Sequence, residues 1–160
     1  MAETLCGPLQ DDEEGLSRQG EEVKEEFHEQ LRMISFHKTA FAHHTNQPAM
    51  ALTNCKDYMA SLQKKLEGIE DHRLGVAFNE LGVSHLQNGH VEEAEKCLQR
   101  SIDILEPIEE ATANTKSMPL INMGFALWIQ GRQDEAVSVF ERTLASREAA
   151  YGPNDTKSFA

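Results

Sequence analysis

The sequence predicts an all-α fold, a solenoid of about three stacked helical hairpins preceded by an acidic helix, about seven helices in all. Three observations predict it. Leu81-Gly82, followed by Ala94 and Leu98, returns later as Met123-Gly124, followed by Ala136 and Phe140. Gly82 to Gly124 and Ala94 to Ala136 are both 42 residues, and each alanine follows its glycine by 12. No stretch sustains the alternation of a strand. A fixed period of this size belongs to units that stack on their neighbours and share a continuous core.

Taken in order, residues 1–10 contain Gly7-Pro8 and no periodicity, and read as an unstructured N-terminus. Residues 11–34 read as an acidic amphipathic helix. Asp11, Asp12, Glu13 and Glu14 suit the positive end of a helix dipole. Leu16, Val23, Phe27, Leu31 and Ile34 then follow at spacings of 7, 4, 4 and 3, one stripe of a helix. That helix is open to continuing as far as His43 or His44. Residues 35–71 read as a degenerate hairpin. Pro48 suits a first helical turn, Ala51, Cys55, Tyr58 and Leu62 follow, and Gly68 suits a stop after Leu66. Ala51 precedes Ala94 by 43 residues, but Lys38-Thr39 stands where the later hairpins have Leu81-Gly82 and Met123-Gly124.

Residues 72–113 form the clearest hairpin, with helices over about 72–87 and 91–106 and the turn Asn88-Gly89 between them. A glycine inside a helix costs roughly 1 kcal/mol relative to alanine, so Gly82 calls for a steric reason. Close approach of the partner helix, with Ala94 as the small counterpart, supplies one. Residues 114–155 repeat the pattern, with Met118, Ile121, Met123, Gly124 and Leu127 before Gln130-Gly131-Arg132 and Ala136, Val139, Phe140 and Leu144 after it. Residues 156–160 read as the truncated start of a further repeat, because Thr156-Lys157-Ser158-Phe159 matches Thr115-Lys116-Ser117-Met118 at a shift of 41. The expectation is a fragment of a longer array, or an open end covered by something else. Val137, Phe140, Leu144 and Tyr151 would then offer an uncapped apolar face, and self-association is expected through it.

Composition narrows the function classes. The net charge of −12 in 160 residues disfavours nucleic acid and anionic membrane as partners, because both call for a basic surface. Residues 1–30 carry ten Asp or Glu against Arg18 and Lys24, so the acid is concentrated in the N-terminal arm. Cys6, Cys55 and Cys97 are odd in number, form no CxxC pair, and read as reduced thiols. No apolar run reaches the ~18 residues of a membrane span, and the first residues lack the pattern of a signal peptide. The cytoplasm, or the nucleus, is the expected location.

Leu81-Gly82 in a first helix and Ala94 with Leu98 in a second resemble the tetratricopeptide repeat. The run Gly131-Arg132-x-Asp134-Glu135-Ala136, continued by Arg147-Glu148 and Tyr151-Gly152-Pro153-Asn154-Asp155-Thr156, resembles its long-spaced branch. Kinesin light chain and many filamentous-fungal repeat proteins belong to that branch. The resemblance covers 72–156 well and 35–71 weakly. It implies a right-handed α-α superhelix that binds a protein or peptide partner on its concave face, lined by the first helix of each hairpin.

On that resemblance the concave face shows Val76, Asn79, Val83, Leu86 and Gln87 in one hairpin. The next shows Met118, Ile121, Phe125, Trp128 and Ile129. The second set is wholly apolar and reads as a seat for an apolar peptide or a helix, unless the acidic helix or another subunit already covers it. Asn79 and Asn122 resemble the paired amides that hold an extended peptide by its backbone in the long-spaced repeats, although each hairpin keeps only one of the two. Asn79, Val83, Ile121 and Phe125 stand where a carboxylate clamp would need basic residues, so that mode of binding is not expected. Leu81, Gly82, Ala94, Leu98, Met123, Gly124, Ala136 and Phe140 are the structural repeat positions. No metal site is expected: His43 and His44 are adjacent, so on a helix they point about 100° apart, and no third ligand joins His37 and His44. No cofactor and no catalytic residue is expected, since neither a nucleophile–base pair nor a phosphate loop has local support. The expected function is a non-catalytic scaffold or adaptor. The alternative is an accessory segment of a larger multi-repeat protein, and a small enzyme is the least favoured reading.

Overall fold

A computed structural model of the chain describes the backbone of residues 7–152 and the side chains of residues 18–152. Among them are six α-helices and no strand: α1 (Gly7–His44), α2 (Pro48–Leu66), α3 (His72–Gln87), α4 (Val91–Leu105), α5 (Ala113–Ile129) and α6 (Gln133–Tyr151). The count is one short of the expected seven because the acidic helix runs on through residues 35–44 to His44 as one 38-residue helix. No proline or glycine falls between Gly20 and His44 to break it. Residues 7–10, within the stretch expected to be unstructured, are helical, and residues 1–6 lie outside the described residues.

Backbone contacts divide the chain at Ile34 and Ser35 into two compact units. Within the first, Val23, Phe27, Leu31 and Ile34 line one exposed stripe, and Arg32 is paired with Glu25 at 3.0 Å and Glu29 at 2.6 Å.

The second unit holds the hairpins. Phe36 in the tail of α1 packs its ring 5.7 Å from that of Tyr58 in α2. Two apolar seams follow. One joins Met59, Leu62 and Leu66 of α2 to Leu74 and Ala77 of α3 and Ile104 of α4. The other joins Leu98 and Ile102 of α4 to Met123, Ala126 and Leu127 of α5 and Ala136 of α6. Each seam therefore binds a hairpin to the next, as stacked repeats require.

The glycines of the repeat face the large residue 16 positions later. A Cβ on Gly82 would lie 2.7 Å from Cγ of Leu98, and one on Gly124 would lie 2.4 Å from Cε1 of Phe140. Thr39 and Cys55, also 16 apart, are both buried, and Cys55 Sγ donates to the Ala77 carbonyl of α3 at 4.0 Å. Gly75 repeats the device against Leu105, with Cγ at 2.5 Å. One period on, that apolar pair becomes polar: Arg147 is buried and donates to Ser117 Oγ at 2.9 Å and Asn114 Oδ1 at 3.0 Å.

Local signals start and stop the helices. Asp71 caps α3, accepting from the amides of Arg73 at 2.9 Å and Leu74 at 3.3 Å. Thr112 caps α5 by accepting from Thr115 N at 3.1 Å. Gly89 and Gly131 hold φ of +75° and +77° in the tight turns between paired helices, a conformation that favours glycine. Arg132 then pairs with Glu95 at 2.8 Å and Glu135 at 2.7 Å, tying the last turn to α4.

Candidate functional site

In the second unit the first helices, α3 and α5, turn one face away from α4 and α6. Taking the inward direction on α3 from Gly82, the 100° step of a helix puts Val76, Glu80, Val83 and Gln87 on the opposite side. The same count from Gly124 puts Met118, Asn122, Phe125 and Ile129 there on α5. Met118, Phe125 and Ile129 are exposed, Phe125 by 52% and Ile129 by 60%. Phe125 is steadied from below by an edge-on contact with the Phe140 ring, centroids 5.5 Å apart.

The residues expected to line the groove separate into two groups. Val83, Met118, Asn122 and Phe125 share the open face. Asn79 and Leu86 are turned toward α5 instead: Asn79 is 6% exposed, and Leu86 packs against the seam that contains Met123 and Leu127. Ile121 and Trp128 stand 42 residues after Asn79 and Leu86, on the corresponding flank of α5. No helix among the described residues packs over that flank, and Trp128 is 53% exposed. Trp128 thus stands at the edge of the open face and Phe125 on it.

The asparagines are used on each other. Asn122 Nδ2 donates to Asn79 Oδ1 at 2.8 Å, and Asn79 Nδ2 donates to Glu80 Oε1 at 3.2 Å. The chain of bonds pins α5 to α3. It also occupies the Asn79 amide that was expected to hold a peptide backbone.

A polar seam joins α3 to the tail of α1. His43 Nδ1 donates to Gln87 Oε1, which leaves Nε2 to accept from Ser84 Oγ at 3.3 Å. Glu80 is half-buried at this edge of the groove. Burial pushes its pKa up, against the opposing pull of His43 and of the Asn79 bond. Sequence reasoning left out this group of His43, Glu80, Ser84 and Gln87. One signal was available: Glu80 is the only carboxylate in α3, and α5 has none, in a chain with 27 Asp and Glu.

The remaining titratable groups do not build a reaction centre. Burial pushes the Cys55 thiol up to about 12, the opposite of what a nucleophile needs. Cys97 is raised by the same cause. His85 is buried beside His90, with Nδ1 atoms 3.3 Å apart. No group of three or more His, Cys, Asp or Glu among the described residues is placed to hold a metal ion, and no helix among them is long and apolar enough to cross a membrane.

The sequence model of the tetratricopeptide repeat matches residues 120–156. The last hairpin, from within α5 through α6, is therefore a tetratricopeptide repeat in an all-helical repeat chain. Repeats of this family generally serve protein–protein interaction. No curated protein matches the chain.

Proposed function

We propose that the chain is a non-catalytic adaptor that holds a segment of a partner protein across the open face of α3 and α5. The observation that carries this reading is the exposed apolar set Met118, Phe125, Trp128 and Ile129 on one helix. None of the four belongs to the two buried seams among the described residues, and large apolar side chains clustered at one place mark an interaction site more often than an ordinary surface. The long-spaced, kinesin-light-chain-like form of the repeat, a right-handed superhelix and a cytoplasmic or nuclear location belong to the same proposal. Phe125→Glu with Trp128→Glu tests it. The double variant should keep its helical circular dichroism and lose the partners that the wild type captures from native lysate. Capture of the same partners by a folded double variant would overturn the groove.

A second reading rests on α6, where Val137 and Leu144 are exposed, Val137 by 46%. In it this face pairs with a second copy, or with a following repeat of a larger multi-repeat protein to which the chain contributes an accessory segment.

A further inference from the structure

Glu80 is an unusual carboxylate for this chain. Four other acids in the second unit have cationic partners at hand: Asp71 has Arg73, Glu70 has Arg100, and Glu95 and Glu135 have Arg132. Glu80 is less exposed than Glu70 or Glu135, yet its one hydrogen bond comes from a neutral amide, Asn79 Nδ2. No Lys, Arg or His nitrogen of the described residues is within ion-pair distance of it, and the cation that acts on it is His43 in the tail of α1. Its Oε2 is not sealed in the interior, because no buried side-chain oxygen there lacks a partner. The carboxylate is thus partly stripped of water, held by Asn79 and still reached by solvent, and the helix step places it on the face of Val76, Val83 and Gln87. A group in that condition gains most from a cation delivered from outside.

Its setting defines what else the ligand needs. The Asn79–Asn122 bond sets the register of α5 against α3, and Phe125 lies three residues, nearly one turn, beyond Asn122. Packed helices stand about 8–10 Å apart. The step from Glu80 to Phe125 is therefore on the order of 10–12 Å, which an extended chain covers in about three residues.

We propose that the groove selects a linear segment carrying a Lys or Arg that pairs with Glu80 and, about three or four residues away, an aromatic or branched apolar side chain that seats on Phe125. The proposal rests on the groove reading above and deepens it. The net charge of −12 favours approach of a basic segment and opposes an acidic one. A wholly apolar occupant would strip Glu80 of its remaining water and give nothing back.

The test is selection of random linear peptides, displayed on phage, against the immobilised full-length chain, followed by affinity measurements on an enriched peptide. Enriched peptides should carry the basic residue and the apolar anchor at that spacing. Glu80→Gln should weaken binding about tenfold. Replacing the peptide's basic residue with Gln should cost the same, and the two losses should not add. Glu80→Arg should restore binding to a peptide whose basic residue is changed to Glu, which separates loss of charge from loss of folding. Binding should also weaken as pH falls through the pKa of Glu80, raised by burial against the opposing pull of His43 in α1 and of the Asn79 bond, and Glu80→Gln should remove that dependence. Peptides that lack a basic residue, are lost with Phe125→Glu and ignore Glu80→Gln would overturn this proposal and leave the groove standing. Peptides indifferent to Phe125→Glu would overturn the groove itself, and failure to enrich any peptide would overturn both.

Discussion

Replacing Gly82 with alanine sets two effects of known size against each other. The new Cβ would lie 2.7 Å from Leu98 Cγ, 2.8 Å from Leu98 Cδ2 and 3.4 Å from the Ala94 carbonyl oxygen. Unstrained carbon–carbon contacts settle near 3.5–4.0 Å, so the overlap is close to ~1 Å. Leu98 is fully buried among Ile102, Met123 and Leu127 and has no open space to swing into. Overpacking of this kind costs ~1–3 kcal/mol, while alanine in place of a helix-interior glycine returns ~1 kcal/mol. The net expectation is a loss of up to ~2 kcal/mol, seen as a fall of a few degrees in Tm. The diagnostic is coupling. Leu98→Ala alone should cost ~2–5 kcal/mol, and should cost ~1–2 kcal/mol less when Gly82 is already alanine, because the side chain removed is the one in conflict. The assay is denaturant unfolding of the two single variants and the double, supported by thermal melts. Additivity within ~0.5 kcal/mol, or a Tm that rises on Gly82→Ala, would refute the close-approach argument. Gly82→Leu should be far worse than Gly82→Ala. Gly124→Ala should be milder, since Phe140 is only half-buried and its ring can move outward.

Asn122→Ala should destabilise the unit by about 1–3 kcal/mol in denaturant titration, because it leaves the buried Asn79 carbonyl oxygen without its donor; an unchanged midpoint would mean that the amide bond between α3 and α5 is of no structural consequence. The His85 pKa is held down by burial first, then by Lys56 and His90, with Glu93 opposing. A histidine depressed on folding stabilises above its unfolded pKa of about 6.5, and that contribution is lost as pH falls through the folded value. Unfolding curves between pH 7 and 5 should therefore show stability falling with acid, less steeply in His85→Gln, and equal slopes would remove His85 as the cause. Light scattering across a hundredfold dilution should show a mass that depends on concentration and becomes monomeric with Val137→Glu and Leu144→Glu; a monomer at every concentration would exclude the pairing of α6 faces.

The fold was legible where one residue type recurs for one reason. Gly82 with Leu98 and Gly124 with Phe140 mark the same close approach twice, so the spacing in the sequence is the contact in space. The tail of α1 was harder to place, because buried Thr39 stands at the repeat position where the later hairpins have a glycine. Pro119, buried inside α5, carried no warning of its position, since a helix interior is where proline is least expected. The open face was legible on α5, where Met118 and Phe125 are apolar outside the structural repeat positions. It was not legible on α3. Asn79 and Glu80 differ by one residue but face different neighbours, the first turned into α5 and the second open at the edge near His43. That difference depends on how far α5 and α1 are offset along α3, and a pattern within one helix does not contain it.

Trp128 is the single tryptophan of the chain, so its emission reports on one place, the exposed flank of α5 beside Phe125. It is half exposed at the edge of the open face, one turn from Phe125. Titration of a selected peptide into the full-length chain should give a saturable blue shift of Trp128 emission and protection from acrylamide, both absent with Phe125→Glu. Saturable binding of that peptide by an independent method, with Trp128 emission and quenching unchanged, would contradict binding on this face.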